Sequence, residues 1–378
     1  MFQNFQFHLS TEIVFGAGVL AQLGEKCRRF GTRALIVCDP FTVKCGLSER
    51  AVKILAESGI RATIYDGVVP NPTAPMIDQG GDAAKKFKAE MVIGIGGGSG
   101  MDTAKGVAVA ATNPGSIWPY AIGEKPIANK LLPIIEITTT SGTGSQCTCF
   151  AVISNPETKQ KPGMGGVLPD VAIVDPELTA TMPYGLTLST GFDVFSHAVE
   201  AYTSSLASPL SDMYAEKALR LVGQYLPRVC RDGQDKEARA GMALADTCAG
   251  IAICQAGVTV AHVVSHMIGG HYHDIAHGDA LASIYREIMV FNNGGMPQKD
   301  AFIADSLVPG SRDAVTAFDE FFGQFKFENR LKQKYQTDPG LTKRIAEDTF
   351  TYMKFYTGLG PVKIDVSDVE RILEKSLR

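Results

Sequence analysis

Between Ala34 and Ala111 the chain alternates short β-branched runs with helical patterns, an order that admits few folds other than a parallel sheet joined by helical crossovers. Ala34 to Cys38 reads as a buried strand, Ser48 to Ser58 as a helix, Ala62 to Tyr65 as a strand and Ile77 to Lys88 as a helix. Met91 to Ile95 is then a strand that runs into glycines, with helical composition resuming from Met101 to Ala111. The strands Pro133 to Ile137 and Ala172 to Asp175 extend the pattern. Beyond about Leu186 β-branched runs become rare, and Pro209 to Leu226 and Lys236 to Ile253 carry helical periodicity instead. The sequence therefore predicts an α/β N-terminal domain with a parallel sheet over residues 1–184 and an all-α domain over 185–378. Pro309 to Phe327 is the least readable stretch, a loop with a short helix.

Composition narrows the class of function. The net charge of -4 comes from 40 acidic and 36 basic residues spread along the chain, so no basic stripe offers itself to nucleic acid. The residues from Met1 to Leu9 lack a basic segment followed by an apolar core, and no apolar run is long enough to span a bilayer. Eight cysteines without a CxxC pair read as reduced thiols, most of them apolar fillers, in a cytoplasmic enzyme.

Ile93 to Lys105 (IGIGGGSGMDTAK) is a strand, a glycine turn and a helix start. Glycines there let the backbone approach a pyrophosphate, whose charge the free N–H groups and dipole of the helix start would hold, although a tight turn needs glycine without any ligand. Asp39 closes the ALIVC strand and has two readings of equal weight. As a ribose-binding carboxylate it favours NAD over NADP; followed by Pro40, it simply opens a turn. The polar loop Thr138 to Thr148 suits phosphate and nicotinamide contacts, or is a Ser/Thr-rich turn.

Five of the seven histidines, His262, His266, His271, His273 and His277, fall within sixteen residues. His262 and His266 are four apart on a helical pattern, as are Asp193 and His197, so each pair shares a helix face. Imidazole nitrogens with one carboxylate suit Fe(II) or Zn(II), and an open coordination position would make the ion a Lewis acid toward a substrate oxygen. Three neutral imidazoles and one aspartate would leave a divalent site with a net charge of about +1. His271 and His273 stand apart as structural residues or pocket rim.

Gly96 to Lys105, Thr139 to Ser145, Asp175 to Pro183, Gly191 to Tyr202 and the histidine segment occur in an order that resembles the iron-containing (group III) alcohol dehydrogenase family, from about Phe7 to Asn293. The resemblance implies a dinucleotide-binding α/β domain, a helical metal-binding domain of the dehydroquinate synthase-like type, and an active site in the cleft between them. It implies metal ligands at Asp193, His197, His262 and His277, with His266 as a proton relay near the nicotinamide. Cofactor contacts fall on Asp39, Gly97, Gly98, Ser99, Asp102, Thr139, Thr140, Thr143 and Lys161, and substrate contacts on Asn71, Thr148 and Phe150.

The activity implied is NAD(H)-dependent interconversion of a small primary alcohol and its aldehyde by a homodimer or larger assembly. Arg286 and Gln146 suggest testing an anionic aldehyde such as sulfoacetaldehyde. The alternatives are a glycerol dehydrogenase-like polyol oxidoreductase and a non-redox metal-dependent hydrolase. Gln146 departs from the family's usual Glu, and Ala276 from its usual Pro.

Overall fold

The computed structural model describes residues 4–327, 329–338 and 340–378. Residues 1–3 of the N-terminal stretch discussed above lie outside the described residues. The chain divides into two compact units, Leu9–Thr181 and Met182–Arg378, the second of which also takes in residues 4–8.

The first unit contains a six-stranded sheet and a two-stranded hairpin. Its strands are β1 (Glu12–Phe15), β2 (Arg33–Cys38), β3 (Arg61–Tyr65), β4 (Met91–Gly96), β5 (Ile134–Thr138), β6 (Ala151–Val152), β7 (Gly163–Met164) and β8 (Val171–Val174). The large sheet runs in the order β1-β8-β5-β4-β2-β3, with every pair parallel, while β6 and β7 pair antiparallel. The central strands β2, β4 and β5 are buried on both faces, apart from Arg33 at the start of β2, which is why they read as continuous apolar runs rather than alternating ones. The chain leaves β2 toward β3 on one side and β4 toward β5 on the other. The order thus reverses between β2 and β4, the place where open α/β sheets bind ligands at their carboxyl edge.

The second unit is helical. Tyr184–Thr203 is buried around nearly its whole circumference, as a central helix must be when neighbours cover every side. Pro209–Arg231 and Lys236–Ala256 pack on it, while Val260–His271 and His277–Asn292 complete the group that carries the histidines. Ala314–Phe322 is the short helix of the stretch that was hardest to read, and its Phe318 and Phe322 enclose Phe192 and Phe195.

The division differs from the expected one at the N-terminus. Gln255 accepts from the His8 N–H at 3.1 Å and donates to the His8 carbonyl at 2.7 Å, and Phe7 stacks on Tyr214 with centroids 6.0 Å apart. Two hydrogen bonds and a ring contact thereby tie Phe7 and His8 to the helical unit. Among the described residues no single helix is long and apolar enough to cross a membrane.

Candidate metal centre and dinucleotide-binding edge

Three helices in the second unit bring Asp193, His262 and His277 together. One ligand atom from each lies within 4.8 Å of the others. The Asp193 Oδ1 is 3.3 Å from the His262 Nε2 and 3.5 Å from the His277 Nε2. Donors bound at 2.0–2.2 Å around a tetrahedral ion sit about 3.4 Å apart, so this donor set fits a first-row divalent metal. His197 lies at the margin of the set. Its Nε2 is 3.8 Å from the same oxygen, and its ring stacks on His262 with centroids 4.3 Å apart, outside the mutually close group of three.

Local structure explains how the donors converge. Asp193 and His197 occupy one face of the buried helix Tyr184–Thr203, at the i, i+4 spacing. His277 opens the helix His277–Asn292, and Gly278 after it lets that helix approach closely. A Cβ at Gly278 would fall 2.0 Å from the backbone oxygen of Ser189, so any larger residue would push His277 away from Asp193. Ser265 Oγ donates to the His277 carbonyl at 3.3 Å and stands 2.8 Å from His277 Nδ1, which leaves Nε2 to face Asp193.

The electrostatics are those of an anion ringed by imidazoles. Burial alone would raise the Asp193 pKa, but His197, His277 and His262 outweigh it and hold the carboxyl below its usual range. Burial likewise disfavours a cationic His262, yet Glu200 and Asp193 push its pKa well above the ordinary imidazole value. The buried Glu200 carboxyl is itself lowered: desolvation opposes its charge, but His262 and the donors of Thr259 prevail.

Not every histidine joins the centre. His266 is buried, with its ring centroid 6.3 Å from that of His262 and 5.4 Å from that of His277, so the proposed relay borders the donor set. His271 instead binds Asp348 at 2.7 Å, a structural pair, and His273 is exposed.

In the first unit the expected cofactor residues gather at the carboxyl edge of the sheet. Asp39, Gly97 and Thr139 directly follow the adjacent strands β2, β4 and β5. Asp39 caps the short helix Pro40–Lys44 by accepting from the Thr42 N–H at 2.7 Å, so the turn-opening reading is realised, with the side chain still partly exposed. Gly96 has φ 150°, a conformation open to glycine alone among common residues, and the helix Gly98–Thr112 starts two residues later.

The glycines also serve packing. A Cβ on Gly97 would meet Thr140 Oγ1 at 3.0 Å, and one on Gly98 would meet Thr143 Cγ2 at 2.6 Å, so glycine turn and threonine loop fit only without side chains between them. Ser99 and Thr143 stay partly exposed at this edge. Asp102 is buried and committed: its carboxylate accepts from the Ser145 hydroxyl at 2.7 Å and from the Val152 N–H at 2.9 Å. Lys161 Nζ donates to Asn71 Oδ1 at 2.7 Å, joining a proposed cofactor residue to a proposed substrate residue, and Asn71 takes φ 58°. Thr148 is buried beneath Lys105, whereas Phe150 is half-buried.

Two residues inside the motifs, Lys105 and Glu200, have roles that only the structure reveals. Lys105 is fully buried and donates to the carbonyls of Ser145, Thr148 and Phe150 at 2.7, 3.0 and 2.8 Å, pinning the threonine loop. Its signal was a lone cation inside an apolar helix. Glu200 binds His262, and its signal was the helix face already marked by Asp193 and His197. Arg286 departs from expectation: its guanidinium is spent on Asp319 at 2.8 and 2.9 Å and on Glu287 at 2.8 Å, and Gln146 is fully buried.

Residues 10–176 match the family model described as iron-containing alcohol dehydrogenase, and residues 187–377 match the C-terminal model of the same family. The chain belongs to the iron-containing alcohol dehydrogenase family. Relatives of this alcohol dehydrogenase include the NAD-dependent methanol dehydrogenase of Bacillus methanolicus, 37% identical over 98% of this chain and 99% of the relative. Among solved structures, an archaeal halo-thermophilic Red Sea brine pool alcohol dehydrogenase superposes with a TM-score of 0.92 at 36% identity, covering 100% of each chain. The sulfoacetaldehyde reductase of Bifidobacterium kashiwanohense, solved with NAD+, has a TM-score of 0.90 at 27% identity, covering 99% of each chain. The motif resemblance, which weakened beyond Asn293, is thereby extended to the C-terminal helices.

Proposed function

We propose that this alcohol dehydrogenase interconverts a small primary alcohol and its aldehyde with NAD(H), using a divalent ion, Fe(II) or Zn(II), held by Asp193, His262 and His277 with His197 beside them. The observation that carries this reading is the convergence of three buried or half-buried donors, with Asp193 3.3 and 3.5 Å from the two imidazole nitrogens, in a chain of this family. When bound, the ion would supply Lewis acidity toward the substrate oxygen, the charge stabilisation that hydride transfer needs. The protein's share is to hold the donors in place. His266 is assigned to move the hydroxyl proton, and Asn71, Thr148 and Phe150 to surround the substrate. Asp39, Gly97, Gly98, Ser99, Asp102, Thr139, Thr140, Thr143 and Lys161 are assigned to the dinucleotide, Asp102 acting through the loop it braces. A carboxylate at Asp39 disfavours the added phosphate of NADP.

Family membership sets the hydrolase alternative aside. A diol substrate gains support from relatives such as the 1,3-propanediol dehydrogenase of Klebsiella pneumoniae, 35% identical over 80% of this chain and 79% of the relative. An anionic aldehyde keeps only the likeness to sulfoacetaldehyde reductase, because Arg286 is committed elsewhere. We place the enzyme in the cytoplasm as a homodimer or larger homo-oligomer, in keeping with its eight free thiols. The test is a panel of short aldehydes, 1,3-diols and sulfoacetaldehyde, each assayed with NADH and NADPH. Uncharged aldehydes with NADH should give the highest kcat/KM; a preference for NADPH would remove the role given to Asp39.

A further inference from the structure

Glu200 lies on the same helix as Asp193 and His197 and is 2% exposed. Its Oε1 sits 2.6 Å from His262 Nδ1, while its Oε2 accepts from the Thr259 N–H at 2.5 Å and from the Thr259 hydroxyl at 2.9 Å. An imidazole whose Nδ1–H is engaged presents the lone pair of Nε2, and His262 Nε2 is the atom turned toward Asp193. His277 is oriented in the same sense, but by the neutral hydroxyl of Ser265. Of the three close donors, then, His262 has a second carboxylate behind it.

We infer that Glu200 is a positioning residue of the metal centre, fixing His262 in the tautomer that ligates through Nε2 and adding a second negative charge next to the ion. The inference rests on the proposed metal site. Counting Asp193 and Glu200 against a divalent ion brings the local charge to zero, where the ligands alone leave about +1. Glu200 accordingly favours retention of the cation and tempers its pull on a substrate oxygen. Thr259, at the position before the helix Val260–His271, spends its N–H and hydroxyl on the carboxylate and so holds it in register with His262.

The test compares the intact chain with Glu200→Gln and Thr259→Val. Metal-free proteins are titrated with Zn(II) against a chromophoric chelator, Co(II)-loaded forms are recorded by visible absorbance, and melting of the metal-free forms together with NADH binding controls for the fold. A glutamine amide can donate to Nδ1, which would place the proton on Nε2 and remove the ligand's lone pair. Glu200→Gln should therefore weaken Zn(II) binding about 10- to 100-fold and shift the Co(II) bands, with NADH binding unchanged. Thr259→Val, which keeps the carboxylate but loses one bond to it, should weaken binding less, and it carries the test if the glutamine variant does not fold. Zn(II) affinity in both variants within twofold of the parent overturns the role of Glu200 alone. Failure of the unsubstituted protein to bind Zn(II) or Co(II) overturns the metal centre itself, and this role with it.

Discussion

Glu136 illustrates how much a single side chain can weigh. It stands on β5 opposite Gly94 of β4 and Ala172 of β8, is fully buried, and neither carboxylate oxygen has a hydrogen-bond partner. Burial pushes its pKa up to about 8, Asp102 adds to the rise and Lys105 opposes it. The unfolded chain releases this proton near its ordinary value of 4.5, whereas the folded chain keeps it until about pH 8. The contribution of Glu136 to folding stability is thus largest below the unfolded value and declines as pH rises through that window. Glu136→Gln, which has nothing to ionise, should match the parent near pH 4 and gain on it by roughly 1 kcal/mol per pH unit up to about pH 8, read by urea unfolding across that range. A difference that does not vary with pH would contradict the assignment. Gly278 gives a second test at this scale. Gly278→Ala should displace His277 and lower both metal content and turnover, measured by metal analysis and NADH oxidation, while NADH binding persists.

Among the elements, those with local signals were legible and those made by distant pairing were not. The buried strands β2, β4 and β5 and the helices Pro209–Arg231 and Lys236–Ala256 stand out because apolar runs and 3.6-residue periodicity are written in consecutive residues. The strand β1 has only four residues and exists through its pairing with β8, more than 150 positions away, and β6 and β7 have two residues each. The helix after the glycine turn begins at Gly98 rather than Met101, because glycine composition hides a helical first turn that close packing imposes. Residue type and spacing marked out the histidine cluster and the Asp193 helix face, the family resemblance named Asp193, His262 and His277 within them, and the partners Glu200 and Ser265 emerged from the coordinates. Lys105 is the element-scale prediction. Lys105→Met would leave three carbonyls of the threonine loop without their donor, costing on the order of 3 kcal/mol in urea unfolding and weakening NADH binding. Unchanged stability would show that the loop is held by its other bonds.

At the scale of the whole molecule, one unit carries the candidate dinucleotide edge and the other the candidate metal centre, in a chain of the iron-containing alcohol dehydrogenase family. Because Glu200 and Asp193 favour a protonated His262 in the metal-free state, binding of the ion must displace a proton. Apparent metal affinity should consequently fall about tenfold per unit of pH lowered while one proton is exchanged, as chelator competition between pH 6 and 9 would read. The most direct measurement of the central claim is bleaching of NADH with a short aldehyde, followed in the chelated protein, after Fe(II) or Zn(II) is restored, and in His262→Ala treated in the same way. Bleaching should be lost on chelation and recovered on reconstitution, and His262→Ala should show no turnover despite intact NADH binding. Full activity in the chelated protein or in His262→Ala would contradict it.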